Sequence, residues 1–186
     1  MFRSYRILHM DSIAVTQGQV VRFGDYIGDC GNTGVSTGLH AHVDCVKGHH
    51  TNQTLSSMDA GHHQADEMGL YRLVTNDFFK QPYRVTSIFE KGHKGLDVVP
   101  ILPKMSVKIY WSLAVGGRVV IVRHGSPTAG HFVIIHVNDD IDGHWAEKQM
   151  THMVALGILS GYPDGSLRPN TFMTRAEYAV AETRKL

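Results

Sequence analysis

Two short clusters of histidine and aspartate carry the chemistry of this chain. The first is Gly38-Leu39-His40-Ala41-His42 and the second is Gly92-His93-Lys94-Gly95-Leu96-Asp97. A hydrolytic zinc centre needs three protein ligands and one open coordination position for water. His42, His93 and Asp97 supply such a set, and His40 falls beside the open position. On a strand, side chains two apart share a face, so His40 and His42 point the same way and Ala41 points away. His93 and Asp97 are four apart. On an extended segment that even spacing also puts them on one side, and Gly92 and Gly95 let the backbone bend there. Two imidazoles and a carboxylate form a borderline-to-hard donor set suited to Zn2+, which would acidify water and polarise a carbonyl. Taken singly, each motif equally describes histidines that decorate or pack on a strand. Together they point to a metal, because each cluster lacks the ligands that the other has.

Holding these residues calls for β structure. Residues 4–47 read as short strands with tight turns: Tyr5-Arg6-Ile7-Leu8-His9 and Val20-Val21-Arg22-Phe23 are extended, glycines punctuate them, and Leu39 to Val46 is a strand. Residues 48–82 read as a connector, polar and His-rich, with a short helix over Asp66–Leu73 and an aromatic end at Phe78-Phe79. From Tyr83 to Val137 the β pattern returns, with β-branched runs at Val98-Val99, Gly117–Val122 and Phe132–Val137. After Asp139, Ala146, Met150, Met153 and Val154 recur at helical spacing. A second helix opens at Thr174, an N-cap, with Glu177 completing a capping box. The expected fold is mainly β, an antiparallel domain over residues 1–138, followed by a small all-α module over 139–186.

The bulk numbers exclude several classes. The 186 residues are 42% hydrophobic with a formal net charge of +1, so no strong field draws the chain to nucleic acid or to a membrane surface. No apolar run is long enough to cross a bilayer. The start lacks the apolar core of a secretory signal, so action outside the cell implies another exit route or a signal beyond this sequence. Cys30 and Cys45 are either one disulfide or two buried thiols. Of the 13 histidines, the pairs His49-His50 and His62-His63 are either surface residues or an adventitious or regulatory metal site.

Residues 5–44 resemble the C-terminal half of lysostaphin-type zinc metallopeptidases. The resemblance lies in Tyr5–His9, in the run from Val15 to Gly28, and in Gly31-Asn32-Thr33-Gly34-Val35-Ser36-Thr37-Gly38-Leu39-His40-Ala41-His42. Residues 83–137 resemble the N-terminal half of the same family, through Arg84-Val85-Thr86-Ser87, His93–Asp97 and the strands up to Phe132–His136. The family runs these pieces in the opposite order, so the chain resembles a circular permutant: 1–47 the C-terminal half, 48–82 the connector, 83–138 the N-terminal half. The resemblance implies that His93, Asp97 and His42 ligate Zn2+. It implies that His40 and His9 are the two non-ligand active-site histidines, His40 taking the proton of the attacking water. The well-kept Asn32–Thr37 loop implies a substrate groove with Asn32, Thr33 and Ser36 on it. His124, His131 and His136 match no catalytic position of the family and are expected as strand-face or loop histidines. The family has an aromatic and an acid after its second histidine, where this chain has Val43-Asp44.

Residues 139–186 resemble a single S-layer homology repeat, through Asp140-Ile141, Gly143-His144-Trp145-Ala146, Gly161-Tyr162-Pro163-Asp164-Gly165, Arg168-Pro169-Asn170 and Thr174-Arg175-Ala176-Glu177. That resemblance implies a secondary cell-wall polysaccharide as partner, with Arg175 suited to an anionic sugar or else paired with Glu177 or Asp164. Trp145 is expected in the module's core. The family works with three packed repeats and this chain has one, so either chains associate into a homo-oligomer through it, or it binds weakly, or it caps the β domain. The combined reading is a zinc endopeptidase that cuts peptidoglycan peptide bonds at the bacterial cell wall, endolysin-like and tethered by a wall-binding module. The alternatives are a non-catalytic wall-binding or regulatory protein, or a virion structural component, with a degenerate peptidase fold.

Overall fold

The structure is a computed structural model that describes residues 1–49, 66–88, 90, 92–102 and 105–184. In chain order the elements are β1 (Phe2–Met10), β2 (Ser12–Ile13), β3 (Val20–Val21), β4 (Tyr26–Asp29), β5 (Ala41–Lys47), α1 (Glu67–Leu73), α2 (Asn76–Phe79), β6 (Tyr83–Ser87), β7 (Gly95–Pro100), β8 (Lys108–Tyr110), β9 (Gly117–Ser126), β10 (Gly130–Asn138), α3 (Glu147–Ala155) and α4 (Arg175–Thr183). One seven-stranded sheet runs β3-β9-β10-β1-β5-β7-β6, and β2-β4-β8 form a three-stranded sheet. Every neighbouring pair is antiparallel. The described part is thus mainly antiparallel β with a few short helices, as its β-branched runs and turn glycines predict.

Period-two alternation decides which face of the large sheet is buried. Tyr5 and Ile7 of β1, Ala41, Val43 and Cys45 of β5, Leu96 and Val98 of β7, and Val133, Ile135 and Val137 of β10 all enter one core. Trp111 lies beneath them, its indole N–H donating to the Val115 carbonyl at 3.0 Å and its ring meeting Tyr5 edge-on at 5.7 Å. Each such large side chain contributes about 1.5–3 kcal/mol by leaving water. Leu8, Val46, Phe132 and Ile134 form a smaller buried cluster on the opposite face. The intervening residues of β5 and β7, including His42 and Asp97, share that second face.

Strands from both pieces of the chain interleave in this sheet. β1 lies between β10 and β5. Phe2 pairs with Asn138, and the Asp139 N–H donates to the Met1 carbonyl at 2.8 Å. The start of β1 and the end of β10 are therefore neighbours.

The helix expected over Asp66–Leu73 is α1, capped by Asp66, whose carboxylate accepts the Gly69 N–H at 2.9 Å. The capping box expected at Thr174 and Glu177 is present on α4. Cys30 and Cys45 are free buried thiols rather than a disulfide, and burial pushes both up, Cys30 to about 12. Trp145 overturns the expectation that it is core: it is 85% exposed. It lies in the turn just ahead of the Ala146 N-cap, outside the helix whose Val154 is buried. The helical module joins the β core through Ile141, Val154 and Leu167, which belong to the same buried cluster, and through Gly116 N–H donating to the Gly165 carbonyl at 2.7 Å. Among the described residues, no helix is long and apolar enough to cross a membrane.

A buried ionic network ties β1 to α1 and to the start of the helical module. Arg3 reaches Asp66 at 2.7 Å, Asp139 at 3.0 Å and Asp142 at 3.2 Å, while Arg72 holds Asp139, Asp142 and Glu147. Burial alone raises the Asp66 carboxyl, but the Gly69 N–H and the Arg3 guanidinium outweigh it and hold the group below the usual carboxylate range. A depressed folded-state pKa means that the unfolded chain binds the extra proton. Stability from this group is therefore present above the unfolded value of about 4 and is lost as pH falls through the folded value. We expect Asp66→Asn to cost about 2 kcal/mol at pH 7 in urea melts and to cost clearly less at pH 3. An equal cost at both values would remove Asp66 from the acid response.

Candidate metal centre

His9 reaches the site through an irregularity in β1. Ile7 pairs with Val133 and Met10 with His131, so Leu8 and His9 together oppose the single residue Phe132. This two-against-one bulge reverses the alternation. Without it His9 would follow Tyr5 and Ile7 into the core; with it Met10 takes the core position and His9 turns to the other face. His9 adopts a left-handed backbone, φ 61°, which costs a non-glycine residue about 1 kcal/mol or more. Its ring centroid lies 4.8 Å from that of His40 and 6.2 Å from that of His42.

The β5–β7 register sets His42 directly opposite Asp97. His42 Nδ1 lies 2.7 Å from Asp97 Oδ1, His93 Nε2 lies 3.3 Å from Asp97 Oδ2, and His40 Nε2 lies 3.7 Å from Asp97 Oδ1. One ligand atom each from His42, His93 and Asp97 fall within 4.8 Å of one another. The structure therefore brings together all five histidine and aspartate residues that the sequence singled out: His9, His40, His42, His93 and Asp97.

Each of the four imidazoles has one nitrogen committed away from this centre. His9 Nδ1 donates to the Thr33 carbonyl at 2.8 Å, His40 Nδ1 to the Gly38 carbonyl at 2.9 Å, and His93 Nδ1 to the Ile88 carbonyl at 2.8 Å. A carbonyl can only accept, so each of these bonds puts the ring proton on Nδ1 and leaves Nε2 with its lone pair. His42 is turned the other way: its Nε2 donates to Asp44 at 2.8 Å, leaving Nδ1 toward Asp97. His93 Nε2 is buried with no hydrogen-bond partner despite its closeness to Asp97. A lone pair facing a carboxylate is satisfied by a cation between them. A histidine whose remote N–H is held by a carbonyl or a carboxylate is the usual form of a metal ligand. The donor set thus fits a Zn2+ ion held by His42 Nδ1, His93 Nε2 and Asp97.

The titration behaviour agrees with this packing. Burial alone lowers His42, but hydrogen bonds to Asp44 and Asp97 reverse the effect and hold it up at about 9. Burial raises Asp97, yet the His42 hydrogen bond and the nearby imidazoles hold it well below the carboxylate range. Burial holds His9 below its ordinary value against the opposing pull of the Thr33 carbonyl.

The Gly31–Gly38 loop braces the site. Thr33 Oγ1 donates to the Met10 carbonyl at 2.7 Å and accepts the His131 N–H at 2.9 Å, so its hydroxyl serves the scaffold. Ser36 Oγ lies 3.0 Å from the Gly38 carbonyl and 3.2 Å from His40 Nδ1. Asn32 is exposed at the loop's edge and its backbone N–H donates to Asp11. The residues that hold the imidazoles were missed from sequence. The carbonyls of Thr33, Gly38 and Ile88 carry no side-chain signal, whereas Asp44 sits two residues past His42 and alternation alone could have placed it. His124 and His131 face one another on the exposed hairpin at 3.2 Å, and His136 stacks on His49 at 4.4 Å. His50, His62 and His63 lie outside the described residues.

In the helical module, Asp140 accepts the backbone N–H groups of Leu167 and Arg168, and Arg168 pairs with Asp164 while lying over the Tyr162 ring at 4.1 Å. Glu177 is taken by the capping box and by the Tyr162 hydroxyl. Both carboxylates weighed as partners of Arg175 are thus engaged elsewhere, and Arg175 is exposed at the first turn of α4. A groove of about 530 Å³ opens between α3 and α4, lined by Met150, Met153, Ile158, Leu159 and Val180.

Residues 139–179 match the S-layer homology domain. Over 47 residues the chain is 45% identical to a cellulosome-anchoring protein of Acetivibrio thermocellus, a stretch covering 25% of this chain and 10% of that protein. It is 40% identical over 48 residues to cell surface glycoprotein 1 of the same organism, covering 26% of this chain and 2% of the relative. It is 41% identical over 44 residues to outer membrane protein SlpA of Deinococcus radiodurans, covering 24% and 4%. The chain therefore spans no more than a tenth of the length of these relatives. No solved structure matches. Residues 139–179 are an S-layer homology domain.

The brace under His9 is testable. A Cβ on Gly130, φ 66°, would lie 2.2 Å from Thr33 Oγ1 and 2.5 Å from the Thr33 carbonyl oxygen. Gly130→Ala is expected to cost about 2 kcal/mol or more in urea melts and to shift the His9 ring resonances in NMR spectra. Unchanged His9 signals in a destabilised variant would separate the hairpin from the site.

Proposed function

We propose that this chain is a zinc-dependent endopeptidase that acts on peptidoglycan peptides at the bacterial cell surface, its β domain a circularly permuted lysostaphin-type peptidase. The observation that carries the reading is the orphaned, buried Nε2 of His93, aimed at the carboxylate that His42 also faces. Zn2+ bound by His42, His93 and Asp97 supplies Lewis acidity toward water and toward a peptide carbonyl. His40, whose Nε2 lies 3.7 Å from Asp97 Oδ1, takes the proton of the attacking water. His9 stands beside it and, once protonated, donates to the tetrahedral oxyanion or to the leaving amine. The carbonyls of Thr33 and Gly38 keep both rings in the tautomer these steps need.

The S-layer homology domain supports attachment to the cell wall or cell surface, in keeping with the anchoring and surface roles that the relatives' names state. Its partner in this reading is secondary cell-wall polysaccharide, held in part by the unpaired Arg175. Those same relatives favour a second reading, a wall-binding protein without catalysis. Metal content separates the two.

Purified protein is expected to carry one Zn2+ per chain by elemental analysis, and His93→Ala and Asp97→Asn to lose it. His40→Ala and His9→Ala should keep the metal while clearing suspended cell walls about 10²–10⁴-fold more slowly. A metal-free, inert wild type would leave the binding-only reading. Separately, Arg175→Ala should weaken sedimentation with purified wall polysaccharide about tenfold, the worth of one charge-assisted hydrogen bond. Undiminished sedimentation would place the anionic contact elsewhere.

A further inference from the structure

Asp44 is 2% exposed and lies on the same sheet face as His42, two residues along β5. Across the sheet its neighbour on one side is Arg6 of β1 and on the other Gly95 of β7. Arg6 Nε donates to Asp44 Oδ2 at 2.5 Å, and the second guanidinium nitrogen meets the same oxygen. Asp44 Oδ1 accepts from His42 Nε2 at 2.8 Å. Gly95 leaves the space in which that bond forms: a Cβ there would lie 2.6 Å from His42 Nε2 and 2.8 Å from Asp44 Oδ1. Three adjacent strands thus contribute one residue each to the far side of a single imidazole.

We infer that Asp44, backed by Arg6 and seated over Gly95, is a positioning residue that presents His42 to the metal through Nδ1. The inference rests on His42 being a ligand and goes further, because it assigns the ligating nitrogen and what selects it. Of the four histidines at the centre, His42 alone has Nε2 turned away, and it alone is held by a carboxylate rather than a carbonyl. The carboxylate removes Nε2 from the coordination choice and makes the remaining nitrogen a stronger donor. Arg6 supplies the charge that lets an anion stay buried beside the site without itself reaching for the metal.

The test is zinc competition with a chromophoric chelator on the full chain, with the melting temperature of the metal-free protein measured in parallel. Asp44→Ala should bind zinc about 10–100-fold more weakly than wild type. Because that variant leaves Arg6 unpaired and folding is at risk, Asp44→Asn combined with Arg6→Gln removes both charges at nearly constant volume. It should keep its metal-free melting temperature and still bind zinc at least about tenfold more weakly. Long-range nitrogen–proton NMR of zinc-loaded wild type should show the His42 proton on Nε2. Wild-type zinc affinity in a folded double variant, or a His42 proton on Nδ1, overturns the inference while leaving the metal centre in place. Absence of zinc from wild type itself defeats the metal reading instead.

Discussion

The pairing of β5 with β7 places His42 against Asp97. Ala41, Val43 and Cys45 on one strand and Leu96 and Val98 on the other point into the core, so a slip of either strand by one residue would carry its own apolar set to the outer face and its His42 or Asp97 inward. The free energy of burying those side chains, about 1.5–3 kcal/mol for each of the larger ones, is what holds the ligand geometry. The His42–Asp97 geometry inherits its precision from the hydrophobic core rather than from contacts among the clustered side chains, which place the bare His93 Nε2 against a carboxylate.

Around that register, backbone carbonyls do most of the orienting. Three of the four imidazoles are held by main-chain oxygens, and the loop that carries Thr33 and Gly38 is fixed by close approach at Gly34 and Gly130, where any side chain would overlap its neighbour. The bulge that turns His9 outward belongs to the same economy: a local conformational cost is offset because the hairpin and the Thr33 loop leave His9 no other arrangement. Histidines in such a frame are held in place by the fold itself.

The S-layer homology domain is more than an appended tether. Ile141, Val154 and Leu167 complete the β core, Gly165 rests on Gly116, and the Arg3–Arg72 network reaches across the junction. At the same time Trp145 and Phe172, 85% and 97% exposed, face outward. One side of the module is buried on the β domain, and the other remains open.

Much of this was legible in the residues themselves. Even spacing placed His40 with His42, β-branched runs marked β9 and β10, and a Thr three before a Glu located the start of α4, because these signals depend only on local geometry. Trp145 was misjudged because aromatic character says nothing about whether the turn that carries it has a neighbour. The bulge that turns His9 to the site, the hold of Asp44 rather than a carbonyl on His42, and the place of Arg6 behind Asp44 were decided only in three dimensions. Each depends on a bulge or on cross-strand partners distant in sequence, and their register is chosen by the collapse of the whole core rather than by any segment alone.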